Sequence, residues 1–128
     1  MSETPISRRA AALLLGQKTD LARAVTARLY DERPELIARH GERGREKCLQ
    51  DMHHNVEQLA PAVDLDDGEM FARYVRWLDD MLRSRGVATG DVVRCLELLR
   101  DETDARFDGD EARLIAGILD AGLAVVVA

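Results

Sequence analysis

Residues 69–85, EMFARYVRWLDDMLRSR, contain the pattern that decides the fold class. Apolar side chains recur there at the i, i+3 and i+4 spacing of a buried helix face, at Phe71, Tyr74, Val75, Leu78, Met81 and Leu82. Gly86 follows directly, and glycine often ends a helix. The stretch therefore predicts an amphipathic helix over about Glu69 to Arg85.

Helical periodicity continues on both sides of this stretch. Further helices are predicted over about Pro5 to Leu15, from an N-cap at Thr19-Asp20 through Leu29, over Arg45 to Val63, over Thr89 to Phe107, and from Gly109-Asp110 through Leu123. Pro34 opens a short additional turn through Ile37, which His40 and Gly41 end. No segment alternates with period two for long enough to be a strand. Six or seven short helices predict an all-α, globin-like fold in one domain, residues 1–128.

Composition and charge narrow the classes of function. The 128 residues are 46% hydrophobic, which is typical of a globular domain. A net charge of −6 argues against nucleic acid as the main partner, because phosphate binding needs a basic surface. There is no run of 18 apolar residues for a membrane span and no signal-peptide pattern at Met1 to Thr4. Cys48 and Cys95 form neither a disulfide framework nor a zinc pattern. A cytoplasmic protein with two free thiols and no metal site is expected.

The predicted helix Arg45 to Val63 carries polar groups along one edge of its apolar stripe. The stripe consists of Leu49, Met52, Val56, Leu59 and Val63. Cys48 lies on its border, Asp51 follows one turn later, and His54 and Asn55 lie at i+3 and i+4 from Asp51. Lys47 and Arg45 add positive charge that lowers the pKa of a nearby thiol. Spacing alone leaves two interpretations open, since a cysteine beside a core stripe is more often a packing residue.

Three ordered stretches resemble the phycobiliproteins. Leu29 to Leu36 (LYDERPEL) resembles the end of their second globin helix, and Cys48-Leu49-Gln50-Asp51 resembles their chromophore attachment stretch. Arg83 to Thr89 (RSRGVAT) resembles the turn before their penultimate long helix. The order and spacing fit over about Arg8 to Ala105. The chain lacks room for the N-terminal helical hairpin of antenna subunits and is more similar to the bilin biosynthesis-associated globins.

This resemblance implies a bilin of the biliverdin or phycocyanobilin type as the bound pigment. Cys48 would form a thioether to ring A, and Asp51 would accept hydrogen bonds from the pyrrole N–H groups. Gln50 replaces the arginine that binds a propionate in the family, so Lys47, Arg45 or Arg43 is expected to substitute. His54 and Asn55 would hydrogen-bond the pigment, and Tyr74 and Trp77 would pack on its rings. Implied partners are bilin-making enzymes or a lyase, and a homodimer is plausible.

Three alternatives remain at this point. A heme-binding sensor would use His54 as its axial ligand, because the helix Glu69 to Arg85 contains no histidine. A pigment-free helical interaction module would keep Cys48 only as a core thiol. An enzyme is the least supported class, since no nucleophile is paired with a positioned base and no phosphate-binding loop is present. Cys95 shares a core face with Val92, Leu96 and Leu99 and is predicted to be a packing residue.

Overall fold

The computed structural model describes residues 4–127, and this part of the chain is folded into six α-helices without a strand. The helices are α1 (Ile6–Gly16), α2 (Lys18–Glu32), α3 (Glu35–Asp64), α4 (Gly68–Ser84), α5 (Thr89–Arg106) and α6 (Gly109–Ala124). Helix α2 packs on α3 and α5, while α4 packs on α6. The fold is all-α and globin-like, as the helical periodicity predicts.

Turn chemistry explains some of the helix ends. Asp67 caps α4, because its carboxylate accepts a hydrogen bond from the Met70 N–H at 3.1 Å. Gly86, in the turn before α5, and Gly109, the first residue of α6, adopt positive φ angles. The N-cap predicted at Thr19-Asp20 is wrong. Helix α2 begins at Lys18, and Gln17 precedes it without a side-chain capping bond.

The region from Pro34 to Arg45 agrees with its predicted structure in one respect and differs in another. The short helical stretch that follows Pro34 is interrupted at Gly41, as predicted, but it joins the next helix through a kink and both parts belong to the 30-residue α3. Gly41 kinks this helix with φ 69° and ψ −174°, a combination that residues with a Cβ almost never adopt. Helical structure resumes after Gly41, so Gly44 lies within the helix. The kink lets the two parts of α3 run in different directions.

The core lies between all six helices. Its largest fully buried side chains include Phe71, Leu14, Leu21, Leu59, Leu96 and Ile115. Helices α4 and α6 approach closely at Gly122, where an added Cβ would lie 2.6 Å from the Phe71 ring. Over residues 4–127, no helix is both long and apolar enough to cross a membrane.

Candidate functional site

A cavity of about 180 Å³ lies between α2, α3, α4 and α5. Much of its wall is apolar and consists of Leu29, Leu36, Met52, Leu78, Leu82, Val87 and Val92. Both parts of α3 contribute, since Leu36 and His40 precede the kink at Gly41 and Lys47 follows it. The kink is therefore one of the features that shapes the cavity.

Two thiols line this cavity from different helices. Cys48 lies on α3 and Cys95 on α5, and both are partly buried. Hydrogen bonding to Cys95 lowers the pKa of Cys48, and a smaller effect comes from Thr26, whose Oγ1 lies 4.0 Å from the Cys48 Sγ. The same interaction and burial raise the pKa of Cys95 well above its usual value. The ionisation of each thiol therefore depends on the other, and Arg45 is only a weak additional influence on Cys48.

Asp51 lies one turn after Cys48 and also lines the cavity. Its side chain is 24% exposed, and burial raises the pKa of its carboxyl group. Arg85, from the turn between α4 and α5, opposes this increase with Nη1 3.9 Å from Oδ2 of Asp51, and Lys47 also opposes it. Because 3.9 Å exceeds a hydrogen-bond length, the carboxylate oxygens of Asp51 can accept hydrogen bonds from a ligand.

Asp91 provides a second carboxylate in the cavity wall. It is only 8% exposed and lies in the first turn of α5, where the helix dipole stabilises negative charge. Arg33, at the end of α2, donates a hydrogen bond to it. This ion pair links the α2–α3 turn to α5. Asp91 is thus neutralised by the protein itself, unlike Asp51.

Asn55 is 3% exposed and connects the cavity to an aromatic cluster. Its Nδ2 lies 3.3 Å from the Met52 sulfur, and its Oδ1 accepts a hydrogen bond from the Tyr74 hydroxyl. The Tyr74 ring lies 5.7 Å from His54 and 5.8 Å from Trp77, measured between centroids. Burial, followed by the nearby charges of Asp51 and Glu57, raises the pKa of Tyr74. Tyr74 therefore holds Asn55 from outside the cavity.

The structure brings together four of the seven side chains predicted to contact a ligand. Cys48, Asp51, Asn55 and Lys47 line the cavity. His54, Tyr74 and Trp77 are not among its lining residues, and Trp77 is 52% exposed. His54 is exposed as well, so the structure gives no support to a heme ligated by His54.

Several lining residues were not predicted from the sequence. Cys95 packs against the core as predicted, but it also lines the cavity, as Cys48 does. Arg85, Asp91 and His40 belong to the wall too. Tyr30 joins them, with the Arg45 guanidinium 5.3 Å from its ring centroid. Tyr30 and Arg85 could have been found from the sequence, because they lie in the family-like stretches Leu29 to Leu36 and Arg83 to Thr89. No sequence signal pointed to Asp91, Cys95 or His40 as lining residues.

One family of known proteins matches this chain, whereas a search of curated proteins finds no significant match. The family model described as "Phycobilisome protein" matches residues 1–124, which is nearly the whole chain. Members of that family are bilin-binding pigment proteins. The chain therefore belongs to the phycobilisome protein family.

Proposed function

We propose that this chain binds a linear tetrapyrrole in the cavity between α2, α3, α4 and α5, with Cys48 as the attachment residue and Asp51 as the main polar contact. The observation that carries the proposal is that both side chains lie one turn apart on α3 and line the same cavity. A cavity with an apolar wall and a few convergent polar groups is the usual form of a cofactor site.

Asp51 suits the central nitrogens of a bilin. A protonated bilin is a delocalised cation with convergent N–H donors, and a carboxylate matches both the charge and the hydrogen-bonding pattern. Burial makes an ionised Asp51 unfavourable without a partner, since it raises the pKa of the carboxyl group. A cationic ligand would offset that cost. Asp91 is less suitable, because Arg33 already pairs with it.

Cys48 suits covalent attachment through a thioether to ring A. The thiolate is the reactive form of cysteine, and the pKa of Cys48 is lowered while that of Cys95 is raised. Asp51 follows Cys48 at i+3 on the same helix. Residues of α3 would therefore bind both ring A, through Cys48, and the pyrrole nitrogens, through Asp51. When bound, the bilin would supply the visible absorption.

The acidic side chains of a bilin need cationic partners. Gln50 provides no charge, whereas Arg85 and Lys47 line the cavity on either side of Asp51. Arg85 is 44% exposed and free of a short hydrogen bond to Asp51, so it can turn toward a propionate. The cavity of about 180 Å³ is smaller than the roughly 300–1,000 Å³ of sites that enclose their ligands. Part of the pigment would therefore extend to the surface unless the walls separate.

We infer a role as a carrier, store or light sensor for bilin, without catalysis. The similarity to the bilin biosynthesis-associated globins supports a place beside bilin-making enzymes, with biliverdin or phycocyanobilin as the pigment. A lyase, a bilin-making enzyme or a second copy of the chain would be the protein partners.

Coexpression with heme oxygenase and a bilin reductase tests the proposal. We expect a coloured protein whose pigment stays attached on a denaturing gel and fluoresces with zinc. Cys48→Ala should lose covalent pigment and keep weaker binding, while the control Cys95→Ala should keep the covalent link. Asp51→Asn should weaken or blue-shift the red absorbance. A colourless protein would refute the proposal and favour a pigment-free interaction module.

A further inference from the structure

One part of the cavity wall is a short segment that is delimited at both ends. Residues 35–40 form the part of α3 before the kink, with Pro34 in front of them and Gly41 behind them. Leu36 and His40 of this segment line the cavity. The other lining residues lie on α2, α4, α5, the turn between α4 and α5, or the longer part of α3 after the kink.

Few buried side chains hold the 35–40 segment in place. Leu36 is 5% exposed and belongs to the core, and Ile37 packs partly against it. Glu35, Ala38 and Arg39 are exposed. The apolar anchorage of the segment is therefore mainly that of a single leucine.

Side-chain bonds hold the chain on either side of the segment and not within it. Arg33 donates a hydrogen bond to Asp91, and the Cys48 Sγ lies 4.0 Å from the Thr26 hydroxyl. Within the described residues, no side chain at positions 34–44 forms an ion pair or a hydrogen bond. Segments with few buried apolar contacts open at a lower free energy than the core.

Two glycines permit this segment to change its direction. Gly41 has φ 69° and ψ −174°, and a glycine can also adopt helical angles without a steric penalty. Rotation at Gly41 would move residues 35–40 while the rest of α3 stays packed. At Gly44, an added Cβ would lie 2.4 Å from the His40 Cβ, so the observed position of His40 requires a residue without a side chain there.

We infer that residues 35–40 are a lid, hinged at Gly41, which opens to admit a ligand and then closes Leu36 and His40 against it. The cavity of about 180 Å³ is smaller than the roughly 300–1,000 Å³ of sites that enclose their ligands, so a wall must move when a large ligand enters. Bilin as the ligand rests on the proposed function, whereas the opening of the lid does not.

Native-state hydrogen exchange of the unaltered, pigment-free chain tests the opening. The amides of residues 37–40 should exchange through an opening that low urea concentrations barely affect, because little surface is exposed. The amides of residues 52–63, on the same helix, should exchange only through global unfolding and be at least roughly a hundredfold better protected. Equal protection and equal urea dependence in the two parts of α3 would overturn the inference.

The chirality of residue 41 distinguishes a hinge from simple fraying of the helix start. An L residue disfavours a φ of 69°, whereas a D residue favours it. Ligation at Cys48 of a synthetic peptide of residues 1–47 to residues 48–128 gives Gly41→Ala with either L- or D-alanine. We expect the L form to exchange the lid amides at least roughly fivefold faster than the D form. Equal exchange in both forms would show that Gly41 is not the hinge.

Gly44→Ala should keep the lid away from its closed position. Gly117→Ala is the control, because its added Cβ meets nothing within 4 Å. In a Cys48→Ala background, which prevents covalent attachment, biliverdin should bind and dissociate at least roughly threefold faster in Gly44→Ala, measured by stopped-flow absorbance. Faster lid exchange with unchanged biliverdin rates would overturn the role of the lid in admitting the ligand.

The lid and the proposed function fail in different ways. If the lid amides exchange through a local opening and bilin never binds, the proposed function fails and the hinge stands. If bilin binds and the lid amides exchange only through global unfolding, the lid fails and the proposed function stands.

Discussion

Asp51 and Arg85 meet at the cavity wall with Oδ2 and Nη1 3.9 Å apart, a contact of opposite charges without a hydrogen bond. One residue comes from α3 and the other from the turn between α4 and α5. Arg85 lowers the pKa of Asp51, but burial has the larger effect and the net direction is upward. The carboxylate is therefore incompletely compensated in the pigment-free protein, and three of the predictions below depend on this relationship.

Asp51 should lower the stability of the pigment-free protein at neutral pH. Since its pKa is raised on folding, the folded state binds the proton more tightly, and stability is lost as the pH rises through the raised pKa. Asp51→Asn removes this loss. We expect the variant to gain stability relative to the unaltered protein between about pH 3.5 and neutral pH, measured by urea denaturation. Asp80→Asn is the control, because the Asp80 side chain is 73% exposed. The prediction would be contradicted if Asp51→Asn were less stable than the unaltered protein by an amount that grows with pH.

Arg85 should select pigments with free acid groups. We expect the dissociation constant for biliverdin to be roughly fivefold lower than that for biliverdin dimethyl ester. This ratio corresponds to a partly exposed ion pair that contributes about 1 kcal/mol. Arg85→Gln should abolish this preference, measured by absorbance titration with both pigments. Arg83→Gln is a matched control two residues away, because Arg83 pairs with Asp79 and Asp80. An unchanged preference in Arg85→Gln would show that another cation binds the propionates.

Removal of Arg85 should also move the titration of Asp51. The guanidinium lowers the pKa of that carboxyl group, so Arg85→Gln should raise it further. The carboxyl carbon shift of Asp51, followed by NMR across acidic pH, measures this directly. Arg83→Gln should leave the titration where it was, and a fall in the pKa of Asp51 in Arg85→Gln would contradict the electrostatic assignment.

Gly41→Ala should weaken both the fold and the site. The φ of 69° and ψ of −174° at this position are strained for any side chain, at a cost of roughly 1–3 kcal/mol. Relief of the strain would shift Leu36 and His40, which line the cavity before the kink. We expect a lower free energy of unfolding and weaker bilin binding. Gly16→Ala is the control, since nothing lies within 4 Å of its added Cβ.

Gly122→Ala should destabilise the contact between α4 and α6. The added methyl group would lie 2.6 Å from the buried Phe71 ring, and overpacking of this kind costs about 1–3 kcal/mol. Gly117→Ala in the same helix has open space around it and should gain stability through helix propensity, by up to about 1 kcal/mol. Thermal denaturation of both variants gives the comparison, and equal melting temperatures would refute the close packing.

Much of the fold follows from local sequence patterns, as residues 69–85 illustrate. Phe71, Val75 and Leu78 are buried on α4, as their spacing predicts, and Gly86 ends the helix with a positive φ. Cys48, Asp51, Asn55 and Lys47 were also accessible to prediction, because one helix and one family-like stretch contain them. Residues on a single helix keep their relative positions whatever the rest of the chain does.

The tertiary structure alone decided which other helices and turns contact α3 at the cavity. His54, Tyr74 and Trp77 have suitable chemistry and spacing, yet they form a cluster outside the cavity lining, since helix rotation depends on packing against neighbours. Cys95 has the sequence pattern of a core residue, and only the packing of α5 brings it into the same cavity wall as Cys48. The sequence by itself determined the helices and the placement of Cys48 and Asp51 one turn apart on the same helix. Contacts between distant segments, such as Asp51 with Arg85, needed the folded chain, because periodicity carries no information on which faces of different helices meet.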